Sequence, residues 1–249
     1  MKSKFFQLVL FLFAPLVLGA TVSGSDCPQC GGVERWSVKV LTAANTSSID
    51  FSPQTALVSA LGELSPPTSL LETAHVAPYE LEKFTIDGCL FFVRQETDAD
   101  YHLALADLAQ ANDTLIAEIP DAACADVCET PFAKNYTDAL NALLTDPQMP
   151  RPASLAVLQV RQKTLSATTT ASAMAAYRTS LATSYLQNPR RVELSGVGFF
   201  DFPHGQVGKA PNAFEIHPVL SFKYLQGTCT PPDAQHLNAW IMHALPTSD

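Results

Sequence analysis

The chain has 249 residues, a formal net charge of −9 and 47% hydrophobic residues. A length of this order suits one decorated domain, and the acidic balance lacks the basic footprint that nucleic-acid binders usually carry. The charge does not exclude a site that holds a cation, because a bound metal reverses the local sign.

The first twenty residues, MKSKFFQLVLFLFAPLVLGA, place Lys2 and Lys4 before a long apolar run that ends in Gly19 and Ala20. This is the pattern of a secretory signal peptide over 1–20, with a retained N-terminal anchor as the alternative. No later run approaches the roughly 18 consecutive apolar residues of a membrane span. The mature chain therefore reads as soluble and exported, periplasmic or extracellular. A small, polar, flexible lead follows over 21–33.

Six cysteines lie beyond the leader: Cys27, Cys30, Cys89, Cys124, Cys128 and Cys229. An even count in an exported chain suggests disulfides, with 15 pairings open. The short spacings favour Cys27 with Cys30 and Cys124 with Cys128, leaving Cys89 with Cys229. A redox reading of "CPQC" lacks the strand-to-helix setting such pairs use. A zinc site built from both close pairs conflicts with an oxidising compartment. Sequons at Asn45, Asn112 and Asn135 matter only in a eukaryotic secretory pathway.

From residue 34, "ERWSVKVLTA" predicts a first strand, and "SSIDFSPQTALVSALGEL" a turn and a short helix broken by "SPPTS". "YELEKFTIDGCLFFVRQETD" alternates and then runs apolar, a long strand with Gly88 marking a bulge or bend. "DYHLALADL" and "DTLIAEIP" alternate with period two and join through the turn "AQAND". Glu118 reads there as a solvated strand position. In "ETPFAKNYTDALNALLTDP", Thr130 suits a cap and Pro131 the first helical turn. Phe132, Tyr136, Leu140, Leu143 and Leu144 line one helical face. Residues 148–189, rich in Ala, Ser and Thr, predict a helix near 170–187 or a low-complexity insertion. "RRVELSGVGFFDF" and "AFEIHPVLSFKYL" are two more strands, with "GVG" as a bulge. The tail, 226–249, carries Cys229 and a short helix. The fold class is mainly β with peripheral helices. Three meander strands, a helix and two further strands give an OB-like five-stranded barrel over 34–225. Another small β-barrel or an α+β sandwich is the alternative.

Two polar clusters stand out. Glu96, Asp98, Asp100 and His102 fall at the first hairpin, and Asp201, His204, Gln206, Asn212, Glu215 and His217 surround the last one. In an OB barrel the loops after strands one and four lie near one face. His102, His204, Glu215 and His217 are candidate ligands for a divalent transition metal such as Zn²⁺, Mn²⁺ or Fe²⁺. Glu96, Asp98, Asp100, Asp201, Gln206 and Asn212 are candidate catalytic groups beside it, with Glu96 or Glu215 as base. Such an ion polarises a phosphoryl or acyl oxygen. Each residue singly also has a plain structural reading. The D-x-D pair suits a turn, His102 a satisfied core histidine, His204 a loop closure, Asn212 a turn and His217 an edge hydrogen bond. Taken together they point to a site, because buried titratable groups are costly unless paired or bound. Phe91, Phe92, Phe199, Phe200 and Phe202 offer stacking surfaces for bases or sugars, although strand aromatics are more often core. No G-x-S-x-G, Walker A or H-E-x-x-H motif occurs.

"GVGFFDFPHGQVGKAPNAFEIHPVL", with "ETDADYHLAL" and "AEIPDAAC" upstream, resembles a family of uncharacterised exported bacterial proteins. Their pattern is G-x-G-F-F-D-x-x-H-G-Q-x-G-x-A-P-N-x-x-E-hydrophobic-H-P-V with an upstream D-x-D-x-H-L. The likeness spans roughly 34–225 and implies that these residues belong to one unit. It carries no activity with it. Two functions follow as expectations. One is a metal-dependent hydrolase, phosphodiesterase- or nuclease-like. The other is a non-catalytic module for an oligosaccharide, oligonucleotide or envelope partner.

Overall fold

The computed structural model describes residues 34–95, 100–122, 124–146, 188–202, 206, 208–230, 232, 233, 235 and 236. The leader, Cys27, Cys30, Glu96, Asp98, His204 and most of the 148–189 segment lie outside the described residues.

The strands are β1 (Asp50–Ala56), β2 (Glu82–Gln95), β3 (Asp100–Ala106), β4 (Thr114–Pro120), β5 (Arg190–Phe200) and β6 (Phe214–Tyr224). Their order is β1-β2-β3-β4-β6-β5, and a further β2–β5 pairing closes the last five into a barrel. β2, β3 and β4 form an antiparallel meander, β4 runs parallel to β6, and β5 is antiparallel to both β6 and β2. This is the OB-like barrel that the element order predicts. β2 serves two neighbours: Lys83–Leu90 pair with β5 and Cys89–Gln95 with β3. The handover falls just after Gly88, and the register shifts between Leu90 and Phe92.

Period-two alternation sorts the barrel wall. Phe84, Ile86, Tyr101, Leu103, Leu105, Leu115, Ala117, Ile119, Phe214 and Ile216 point inward as one apolar cluster. Helix α4 (Ala133–Leu143) adds Ala139 and Leu143 to that cluster, while its Tyr136 faces a second one. Phe132 is the cap residue of α4, and Thr130 contributes by accepting the Phe132 backbone N–H at 3.3 Å. The second cluster, with Val40, Leu41, Val127, Tyr136, Val197 and Leu220, covers the outside of β5 and β6. Val127 sits in the short α3 (Ala125–Cys128).

Two predicted elements differ. "ERWSVKVLTA" is not a strand but the one-turn helix α1 (Trp36–Lys39), flanked by Arg35 and Leu41 at φ 57°. Arg35, Val38, Lys39, Val40, Leu41 and Ala43 are all buried, so no exposed face alternates with a buried one. In "SSIDFSPQTALVSALGEL" the predicted turn contains β1, and the helix is the short α2 (Val58–Gly62). β1 lies at the edge of the sheet and is mostly exposed, so it carries little apolar signal, and an edge tolerates Pro53. Cys89 and Cys229 are bonded as expected, and Cys124 and Cys128 are also in disulfides.

Candidate metal centre

The barrel wall has an outer face as well as an inner one. Asp100 and His102 alternate with the inward Tyr101 and Leu103, Glu118 stands between Ala117 and Ile119, and Glu215 and His217 flank Ile216. These five side chains therefore share the outer face of three adjacent strands. The register aligns them: His102 is directly opposite Glu118, and the parallel match of Ala117 with Ile216 sets Glu118 beside His217. Outer faces usually meet water. Here each of the five is at most 5% exposed, and Lys39 of α1 and Tyr136 of α4 both lie close enough to interact with their carboxylates.

Contacts run along the row. His102 Nδ1 lies 2.9 Å from Glu118 Oε1 in a hydrogen bond. Glu118 Oε2 lies 3.0 Å from His217 Nδ1, and His217 Nε2 lies 3.5 Å from Asp100 Oδ2. Asp100, Glu118 and His217 each offer one ligand atom, and these atoms lie within 4.8 Å of one another. Beside them Gln206 Nε2 donates to Asp201 Oδ2 at 2.6 Å and to Glu215 Oε1 at 3.2 Å.

Electrostatics separate the groups. Burial raises the Glu118 carboxyl, but hydrogen bonds and charge from His102 and His217 outweigh it and hold the group well below the usual range. Burial pushes Glu215 well above its ordinary value, and the neighbouring carboxylates Glu118 and Asp201 add to it. Burial lowers His217, opposed by its contact with Glu118; a neutral imidazole is the form that ligates a metal. The only lysine acting on these groups among the described residues is Lys39 of α1, buried at 6% exposure.

The site is therefore built on strands, not on loops. Of the predicted metal ligands, His217 is in the donor set. His102 instead orients Glu118, Glu215 bonds Gln206, and His204 lies outside the described residues. Asp100, read as catalytic, is a donor; Asp201 and Gln206 stand beside the set. Glu96 and Asp98 lie outside the described residues. Asn212 belongs elsewhere: its Nδ2 donates to Leu61 O and Leu64 O, and its Oδ1 accepts from Phe214 N, tying the loop to α2. Glu118 is the clearest departure from the sequence reading. It is not solvated but buried between two histidines. A carboxylate inside the apolar run "TLIAEIP" was the available signal, since a strand buried on both faces reads as a nearly continuous apolar run. Lys39, inside "SVKV", escaped for the same reason. Phe91, Phe92, Phe199 and Phe200 are buried and present no stacking surface.

Comparison with known proteins adds no relative: no family model matches the chain, and no curated protein and no solved structure matches it.

Proposed function

We propose that this protein is exported, binds a divalent transition-metal ion through Asp100, Glu118 and His217, and uses it to hydrolyse a phosphodiester-type substrate. The observation that carries the reading is the donor set, one imidazole and two carboxylates whose ligand atoms lie within 4.8 Å of one another. Burying two carboxylates side by side is costly, and a cation would offset that cost. Three protein donors leave a four-coordinate ion one open position, the ligand count of catalytic rather than structural zinc. When bound, the ion supplies Lewis acidity and an activated water at neutral pH. Around it, His102 holds Glu118 in place and Gln206 bridges Asp201 to Glu215, whose carboxyl burial and neighbouring carboxylates push up. Export is supported by the leader pattern and by the Cys89–Cys229 disulfide, which suits an oxidising compartment. Among the described residues no helix is long and apolar enough to cross a membrane.

A second reading has its own observation. Every donor is at most 5% exposed, which favours a fixed structural ion in a non-catalytic binding module. One experiment separates the two. Chelator-stripped protein is reloaded with Zn²⁺ or Mn²⁺, analysed for metal, and assayed on phosphodiester substrates beside His217→Ala and Asp100→Asn. About one equivalent of metal in the native protein is expected, with loss of both metal and turnover in the variants while circular dichroism stays native. Stoichiometric metal without turnover selects the structural ion. Native protein that takes up no metal refutes both.

A further inference from the structure

We propose that Lys39, a cation buried beside the Asp100/Glu118/His217 site, holds down the affinity of that site for a divalent ion by charge repulsion. This rests on the metal reading above and adds to it the group that regulates the site.

The geometry begins with α1. Its last residue, Lys39, carries its ammonium to 5.7 Å from the centre of the Phe199 ring. That ring lies 5.4 Å from the ring of His217, and Phe199 is paired in register with Glu215. The ammonium is thus placed over the aromatic that walls the site. Four carboxylates act on it: Glu118, Asp201, Glu215 and Asp100. Together they outweigh the burial that would otherwise strip its proton, and the group stays charged. Two of the four, Glu118 and Asp100, are also the carboxylate donors for the metal. A cation in the triad and the Lys39 ammonium therefore draw on the same negative charge. Their mutual repulsion is twice as large for a divalent as for a monovalent ion.

α1 is not free to swing Lys39 away. Arg35, directly before it, bonds both carboxylate oxygens of Glu80 at 2.7 and 2.8 Å. The same guanidinium donates to the backbone oxygens of Leu71, Ala74 and Phe200. It also lies 4.8 Å from the centre of the same Phe199 ring. Glu80 in turn accepts the backbone N–H groups of Val76 and Phe200. The backbone that bears Lys39 is latched, so its charge stays beside the site. With Lys39 in place the negative charge around the site is partly offset without metal. Without it the cluster keeps its negative excess and takes up a divalent ion more readily.

The test compares chelator-stripped native protein, Lys39→Met and Lys39→Arg, each titrated with Zn²⁺ against a chromophoric chelator, with thermal melts run with and without the ion. Lys39→Met is expected to bind Zn²⁺ about tenfold or more tighter than native. Its metal-free form should melt lower and regain native stability on saturation, which a merely space-filling lysine would not produce. Equal affinity in native and Lys39→Met overturns the inference and leaves the metal site standing. No binding in either overturns the metal reading, and this inference with it. Where Lys39→Met does not fold even with Zn²⁺, Lys39→Arg decides. It keeps the charge, so its affinity should stay at or below the native value, and tighter binding overturns the inference.

Discussion

Glu118 shows how much one buried side chain can organise. It accepts from His102, approaches His217 and acts on both Lys39 and the neighbouring Glu215. A buried carboxylate of this kind is stable only with its partners present. His75 is the opposite case. It is 3% exposed, and neither ring nitrogen has a hydrogen-bond partner among the described residues. Burial, with a smaller push from the Arg35 guanidinium and opposed by Glu80, brings it down to about 4. The unfolded chain takes up that proton near pH 6.5 and the folded chain resists it. Stability is therefore full above pH 6.5 and falls as pH drops towards 4, by about 3 kcal/mol from this residue. Urea unfolding of His75→Leu across that range should show a flatter profile than native. Some slope should remain, because His217 is lowered in the same sense and Glu118 adds a loss that begins as pH falls through its ordinary carboxylate value. An identical slope in His75→Leu would place the pH dependence elsewhere.

Among the elements, β5 carries the tightest constraint. Its register against β6 shifts at Ser195–Gly196 and again at Gly196–Gly198, and both glycines sit where no side chain fits. A Cβ on Gly198 would collide with the Tyr79 carbonyl oxygen and press the Phe214 and Phe84 rings at 2.8 and 2.9 Å. A Cβ on Gly196 would collide with Pro218 O and Ile216 Cγ2. The carbonyl neighbours are backbone, so the strand itself must move. Gly198→Ala is expected to lose about 3 kcal/mol, the upper end of overpacking. Its neighbour Phe199 walls the metal site, so Zn²⁺ affinity should fall too. Chemical denaturation and a metal titration check both; a variant native in both would mean that the strand relaxes freely. The alternation of β3, β4 and β6 could be read directly from their residues. α1 could not, because its conformation is set by partners remote in the chain. Arg35 finds its acceptors at Leu71, Ala74, Glu80 and Phe200.

Across the whole molecule, the closed barrel pairs β2 with β5, and the Cys89–Cys229 bond ties the C-terminal segment to the outside of β2 across 140 residues. Cys89 is fully buried with Phe91, Phe92, Ala104 and Ala106, so the cross-link is also part of the packing. The double variant Cys89→Ala/Cys229→Ala should lose about 2–4 kcal/mol, read as a lower melting temperature. Its Zn²⁺ affinity should be unchanged, since the donors stand on β3, β4 and β6. A loss of affinity would show that the tail shapes the site.

The sequence by itself determined the barrel. Period-two alternation, the "AQAND" turn, the α4 face and the glycine-marked bulges each follow from local chemistry, and together they dictate the strand order. It also marked Asp100, His102, Asp201, Gln206, Glu215 and His217 as members of one polar set. Only the tertiary structure decided which face of the wall they occupy and that this face is covered. Alternation tells which residues share a side, but not which side a distant segment will bury. Part of that cover is Lys39, which stands beside the Phe199 ring on a segment placed by a buried Arg35–Glu80 pair 45 residues apart in the chain. That placement turned Glu118 from a surface acid into the centre of the site and brought Lys39 to it.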